Sequence, residues 1–146
     1  DEVEDGIAIS FFPDSAAGRA DAQAYFSRIY QRTSKTAGGE PVIHSMLDPE
    51  RTARQRQAYT DWSSRNPQNS FDRLGELRMP VLILNGDDDL LIPTSRSWEL
   101  LKGIGNAQLI IYSQAGHGFI WQYAERVAED VGRFLDQDLA GGQAKL

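Results

Sequence analysis

Pro80-Val81-Leu82-Ile83-Leu84-Asn85-Gly86-Asp87-Asp88-Asp89-Leu90-Leu91-Ile92-Pro93 changes character once, at Asn85. Before Asn85 the run is apolar without alternation, the pattern of a strand covered on both faces of a parallel sheet. After it comes an acidic turn, and Pro93-Thr94 then open a helical pattern. In open α/β sheets the turns at the carboxyl ends of the strands carry ligand-binding and reacting groups. The aspartates at 87–89 therefore stand where chemistry is expected.

Toward the carboxyl terminus, Trp98, Leu100, Leu101 and Ile104 fit the inner face of a helix that Gly105 stops. Leu109-Ile110-Ile111-Tyr112 is a second continuous apolar run, hence a second buried strand. It ends in the small-residue turn Ser113-Gln114-Ala115-Gly116-His117-Gly118. Val127, Val131, Phe134 and Leu135 mark a closing helix, and residues 141–146 a tail. Strand, helix, strand, helix makes a right-handed βαβ unit, whose parallel neighbours put both turns on one rim. Asp89 and His117 are thus expected within about 2.6–3.2 Å of each other, with Asp88 directed elsewhere. Gly116 and Gly118 are expected to let the backbone turn sharply and leave the imidazole uncovered.

Toward the amino terminus the pattern is different. Residues 6–12, with Ile7, Ile9 and Phe11 alternating, suggest a short extended segment ending at Pro13. Asp14 or Ser15 caps a helix to about Thr33, with Ala22, Phe26, Ile29 and Tyr30 on one face. Gly38, Gly39 and Pro41 break it. Asp48-Pro49-Glu50 starts another helix, to about Ser64, with a modest apolar edge of Ala58 and Trp62. After a linker at 66–70, Phe71, Leu74 and Leu77 form a short helical stripe leading to Pro80. Two helices with no strand between them form an excursion outside the sheet.

Composition narrows the function classes. The chain has 146 residues, no cysteine and a formal net charge of -6, which argues against nucleic acid or an anionic membrane as partner. No apolar run approaches the roughly 20 residues that span a bilayer. With no cysteine there is neither a thiolate nucleophile nor a thiolate metal site. No cofactor and no metal are called for, and a cytoplasmic location is the expectation.

A histidine beside a carboxylate is the orienting half of a nucleophile–base–acid triad. Gly86-Asp87-Asp88-Asp89-Leu90-Leu91-Ile92-Pro93 fits the G-x-x-D-x-x-x-P acid turn of the α/β-hydrolase superfamily, and Ala115-Gly116-His117-Gly118-Phe119 resembles its histidine loop. The resemblance covers nearly the whole chain, matched to the carboxyl-terminal part of that fold. It implies residues 1–70 as a helical cap or lid segment and residues 71–146 as a βαβα piece of the core. It also implies a cofactor-independent hydrolase of esters, or of similar acyl or carbon–heteroatom bonds, with His117 as base and then acid and Asp89 as its orienting carboxylate. The family's nucleophile sits on a G-x-S-x-G elbow or an equivalent. No serine here follows a glycine by two residues. With Asp1 in place of an initiator methionine, the expectation is a fragment, inactive alone, whose small-molecule substrate belongs to the intact protein. Its partner would be the missing amino-terminal half or a second copy, since Val81–Leu84 would be a bare strand edge.

Other readings remain beside this one. The chain is alternatively a non-catalytic interaction module that folds by oligomerisation, or, further off, a magnesium-binding domain using the triple-aspartate turn. An aspartate after a strand often only caps the next helix. Asp87 and Asp88 read as solvated turn residues, His44 as an ordinary polar or packing residue, and Trp62 and Trp98 as packing groups. Phe119 and Trp121 suit either a pocket wall or the core.

Overall fold

The computed structural model describes residues 2–31, 49–64 and 70–139. Expectations for Thr33, for the Gly38–Pro41 break, for His44, for the Asp48 cap and for linker residues 66–69 lie outside these. The elements run α1 (Glu2–Phe11), α2 (Ala16–Tyr30), α3 (Pro49–Ser63), a 3-10 helix (Phe71–Glu76), β1 (Val81–Gly86), α4 (Thr94–Gly103), β2 (Ala107–Tyr112), the one-turn α5 (Phe119–Gln122) and α6 (Ala124–Leu139). Contacts divide the chain into two compact units, Asp1–Tyr25 with Leu74–Leu146, and Phe26–Arg73. The stretch 1–70 thus contributes to both.

In the first unit β1 and β2 are parallel neighbours, in register from Val81 opposite Ala107 to Gly86 opposite Tyr112. Both polar turns leave from the same rim, as the strand–helix–strand pattern requires. Tyr112, Ala115, Phe119 and Val127 form a core cluster, with Leu84, Ile110, Tyr123 and Val131 packed against it. Burying Phe119 or Val127 contributes about 1.5–3 kcal/mol each, and the Ala115 methyl about 0.8 kcal/mol. Among the described residues the sheet has two strands. Val81 and Leu82 are accordingly only half-buried, and Ile111 is exposed.

Several local readings are corrected. Residues 6–11 are not extended but belong to α1, and Phe12 follows directly after it, its N–H donating to the Ala8 carbonyl at 3.1 Å. Ile7, Ala8, Phe11 and Phe12 satisfy helical spacing as well as alternation, the ambiguity of any short apolar run. Ile9, which alternation would bury, is 67% exposed, and Phe12 is buried. Of the two expected cap residues, Ser15 is the one that caps α2, its hydroxyl accepting from the Gly18 N–H at 3.0 Å, a cap worth about 1 kcal/mol. On α4 the inner face holds Leu100 and Leu101 half-buried and runs on to the buried cap residue Ile104, as expected, but Ser97 is buried in place of Trp98, which is exposed. The Ser97 hydroxyl receives a 3.0 Å hydrogen bond from the Asn85 amide, which turns that face inward. The helix stops at Gly103 with Ile104 as its cap, two residues before Gly105. On α6, Leu135 is exposed and the polar Asp130 is buried.

In the second unit, α3 begins at Pro49, its first-turn proline favoured there because no helical partner exists for an N–H. All of its residues, Ala58 and Trp62 included, are exposed. Trp62 is therefore not a packing group within the described residues; its ring centroid lies 6.3 Å from that of Tyr59. The charged face carries an Arg54–Glu50 pair at 2.6 Å, of the exposed i,i+4 kind worth about 0.3–0.5 kcal/mol.

Candidate active site

The acidic turn is held by its own strand and helix. The Asn85 side chain accepts from the Gly86 N–H at 2.9 Å and donates to the Ile92 carbonyl at 3.2 Å. The Thr94 hydroxyl donates to the Gly86 carbonyl at 2.7 Å. These bonds close the loop at both ends, so Asp89 sits at a fixed point. Its Oδ1 accepts the Leu91 and Ile92 N–H groups at 2.9 and 2.8 Å. Its Oδ2 lies 2.9 Å from Nδ1 of His117. The Asp89 side chain is only 2% exposed, and that of His117 is 33% exposed. A buried carboxylate without partners would be costly, and here three donors meet it. The turn's capping role and its histidine contact are therefore both present, on different oxygens.

The histidine loop is pinned to the acid loop through Ala115, which is fully buried. Its carbonyl accepts the Asp88 N–H at 2.9 Å, and its own N–H donates to Asp87 Oδ1 at 3.1 Å. A Cβ on Gly86 would stand 2.1 Å from the Ala115 carbonyl oxygen, so only glycine fits where the two loops cross. Asp87 is thus more than a solvated turn residue. Burial works to raise its carboxyl, but hydrogen bonds from the Ala115 and Gln114 amides and the Ser113 hydroxyl outweigh it, and the net direction is down. Sequence reasoning missed this tie because a carboxylate bonded to a backbone 28 residues away leaves no local pattern. Asp88 is exposed, with its backbone rather than its side chain in the crossing.

The glycines around His117 also have another reason than the expected one. Neither takes a left-handed backbone; the positive φ in this loop belongs to Gln114, at 55°. A Cβ on Gly116 or Gly118 would instead come within 2.5 or 2.9 Å of the Phe11 carbonyl oxygen. The imidazole is not bare either, since the Phe11 ring meets it edge-on at 5.2 Å between centroids. Phe119 belongs to the core, and Trp121 is 47% exposed.

A separate depression of about 740 Å³ is lined by residues that include Pro13, Asp21, Asp87, Asp88 and Gln122, but neither Asp89 nor His117. Its position does not coincide with the histidine–carboxylate pair. Among the described residues no group of three acidic or histidine side chains is placed to hold a metal ion. The triple-aspartate turn spends both Asp89 oxygens on protein donors, which weakens the magnesium reading. None of the described helices is long and apolar enough to cross a membrane.

Comparison with known proteins bears on the fold and the family. Over 73 residues the chain is 37% identical to a 2-hydroxy-6-oxononadienedioate/2-hydroxy-6-oxononatrienedioate hydrolase of Paraburkholderia xenovorans, covering 48% of this chain and 25% of that protein. Over 66 residues it is 38% identical to a 2-hydroxy-6-oxo-6-phenylhexa-2,4-dienoate hydrolase of Comamonas testosteroni, covering 43% and 23%. The match therefore spans about a quarter of the length of these curated relatives. An α/β-hydrolase fold protein from Chitinophaga pinensis superposes with a TM-score of 0.67 at 26% identity, over 91% of this chain and 45% of that one. Residues 49–140 match the family model described as TAP-like protein, an α/β-hydrolase family. That match takes in more than half of the chain together with Asp89 and His117, and the protein belongs to the α/β-hydrolase superfamily.

Proposed function

We propose that this chain supplies the base and the orienting carboxylate of a nucleophile–His–Asp triad in a cofactor-independent hydrolase. The observation that carries the reading is the 2.9 Å contact between His117 Nδ1 and the buried Asp89. With Nδ1–H donating to the carboxylate, Nε2 is the nitrogen left to accept a proton. His117 would take the proton of an attacking hydroxyl and return it to the leaving group. Asp89 would hold the tautomer and offset the charge on the imidazolium, while its backbone bonds keep it from following the ring.

The nucleophile is assigned to a segment outside residues 1–146. The chain has no cysteine and no serine two residues after a glycine. The substrate class is a small molecule with an electrophilic carbonyl, an ester or similar acyl compound. The names of the curated relatives favour a second reading within that class, a 2-hydroxy-6-oxo dienoate attacked at its 6-oxo ketone carbon. In both readings stretch 1–70 contributes a cap or lid. The outer edge of β1 at Val81–Leu84 would pair with the remainder of the fold or with a second copy of the chain.

The test is reconstitution. Residues 1–146 alone should hydrolyse an activated ester at the background rate of a free imidazole. Joined to an amino-terminal hydrolase segment bearing a serine elbow, in cis or as a second chain, they should turn over. Triad-type acyl-enzyme turnover by residues 1–146 unaided would overturn the assignment of the nucleophile. A folded, joined protein still inactive toward both an ester and a 6-oxo dienoate would favour the interaction-module reading.

A further inference from the structure

We propose that Phe11, the last residue of α1, is a positioning residue for His117. The inference rests on reading His117 as the base, but its observations are independent of the Asp89 contact. The Phe11 carbonyl accepts the Gly118 N–H at 2.7 Å, immediately after the histidine. Gly116 and Gly118 are the only residue type that fits beneath that carbonyl, since a Cβ at either place would collide with it. Glycine on both sides of His117 is thus explained by the approach of one residue 106 positions earlier in the chain. The Phe11 backbone fixes the loop that carries the imidazole.

The Phe11 side chain acts on the ring itself. It meets the imidazole edge-on at 5.2 Å and 62°, and stacks on Trp121 at 5.8 Å and 27°. Tyr25 of α2 supports both, with centroids 5.9 Å from Phe11 and 5.0 Å from Trp121. Asp89 holds the imidazole at one nitrogen only, which still permits rocking about the hydrogen bond. The Phe11 contact adds a hold on the carbon framework, which a ring swung toward solvent would forfeit. Gln122 secures the other shoulder of the loop, its amide oxygen accepting the Gly116 N–H at 3.3 Å.

The experiment reads the imidazole directly in residues 1–146, by the 15N shifts of His117 and the exchange of its Nδ1 proton with water. Phe11→Leu keeps the backbone carbonyl and removes the ring; exchange should quicken by about threefold to tenfold, the worth of one edge-on aromatic contact. Phe11→Tyr, which retains the ring edge, should restore the parent rate, and the Gly118 amide should stay protected in both. Unchanged exchange in a folded Phe11→Leu protein would overturn the proposal. Should Phe11→Leu fail to fold, Trp121→Leu removes the stack behind Phe11 at an exposed position; exchange should quicken there too, and no change would count equally against it. Asp89→Asn is the separate control: if it leaves the His117 shifts untouched, the base-and-carboxylate reading fails, whatever Phe11 does.

Discussion

The first unit holds two buried carboxylates that each meet a ring, and they are built oppositely. Asp89, on the rim, takes two backbone N–H groups on one oxygen and His117 on the other. Asp130, on α6, takes the Tyr112 hydroxyl at 2.9 Å, Arg133 at 2.5 Å and Arg126 at 3.6 Å. Around Asp130 the charge is cancelled by cations and the ring partner is buried. Around Asp89 no arginine or lysine is paired with the carboxylate among the described residues, and the ring partner is one-third exposed. A carboxylate neutralised by arginines has little to offer a newly formed imidazolium. One held by neutral dipoles keeps its full charge for that moment. On the proposed reading, the difference separates a structural lock from a site built to move a proton.

The largest expected effect tests that separation. If the proposed triad holds, then in the chain joined to a nucleophile-bearing segment Asp89→Asn or His117→Ala should lower kcat by about 10⁴-fold, because triad members act as a unit. Asp130→Asn should leave kcat near the parent value and instead lower the denaturant midpoint. A comparable loss of kcat from both aspartates would erase the distinction.

Next in size is a steric contrast between the same two regions. Gly86→Ala drives a Cβ to 2.1 Å from the Ala115 carbonyl oxygen and 2.5 Å from that of Gly116, backbone atoms that cannot yield. The expected loss of stability is about 3 kcal/mol. On α6, Gly132 has nothing within 4 Å of the corresponding point. Gly132→Ala should stabilise by about 0.5–1 kcal/mol. Urea unfolding of the pair checks both signs, and a tolerated Gly86→Ala would mean the loops do not cross as closely as described.

What was legible in the sequence follows from the range of each signal. β1 and β2 were readable because uninterrupted apolar runs ending in polar turns are local, and their parallel pairing follows from the helix between them. Asp89 and His117 were readable because parallel topology alone brings the two turns together. What was missed depends on contacts remote in sequence. The 6–12 stretch satisfied two periodicities, and packing of Phe12 decided for helix. Trp98 lost its place to Ser97 because Asn85 needed a hydroxyl. Asp87 and Phe11 act through backbone atoms of another loop, which no residue pattern announces. The two glycines beside His117 were noticed, but their cause, a carbonyl from α1, was not.

A smaller effect is expected at Tyr112. Burial first, and then the hydrogen bond to charged Asp130, push its hydroxyl from 10.0 up to about 12. The neutral phenol is therefore favoured in the folded state. Its contribution is complete below pH 10.0 and is lost as pH rises through about 12. Tyr112→Phe should cost about 1–2 kcal/mol at neutral pH, the value of a hydrogen bond to a charged group discounted for the arginines that remain. It should also flatten the alkaline limb of stability against pH. A variant that unfolds along the same alkaline curve as the parent would place that titration elsewhere.

The smallest effect belongs to Asp87, which stands between the two cases, an exposed carboxylate tied to backbone. Burial raises its carboxyl, and the Ala115, Gln114 and Ser113 donors more than reverse this, leaving it below the ordinary 3.8. A lowered folded value means the unfolded chain binds the proton more readily. Stability from this group is therefore full above pH 3.8, and decays as pH falls from there through the lower folded value. Solvent screening keeps the amount small, as it does for other exposed charges. Asp87→Asn removes the titration while leaving an amide oxygen that can still accept from the Ala115 N–H. Urea midpoints taken at about pH 6 and about pH 3 should fall less for the variant than for the parent. Equal losses would show that the two loops are held by the backbone bonds through Ala115 without help from the carboxylate. The crossing of the two loops would then rest on the close approach at Gly86 and the backbone bond between the Asp88 N–H and the Ala115 carbonyl, and among the three aspartate side chains only that of Asp89 would have a task.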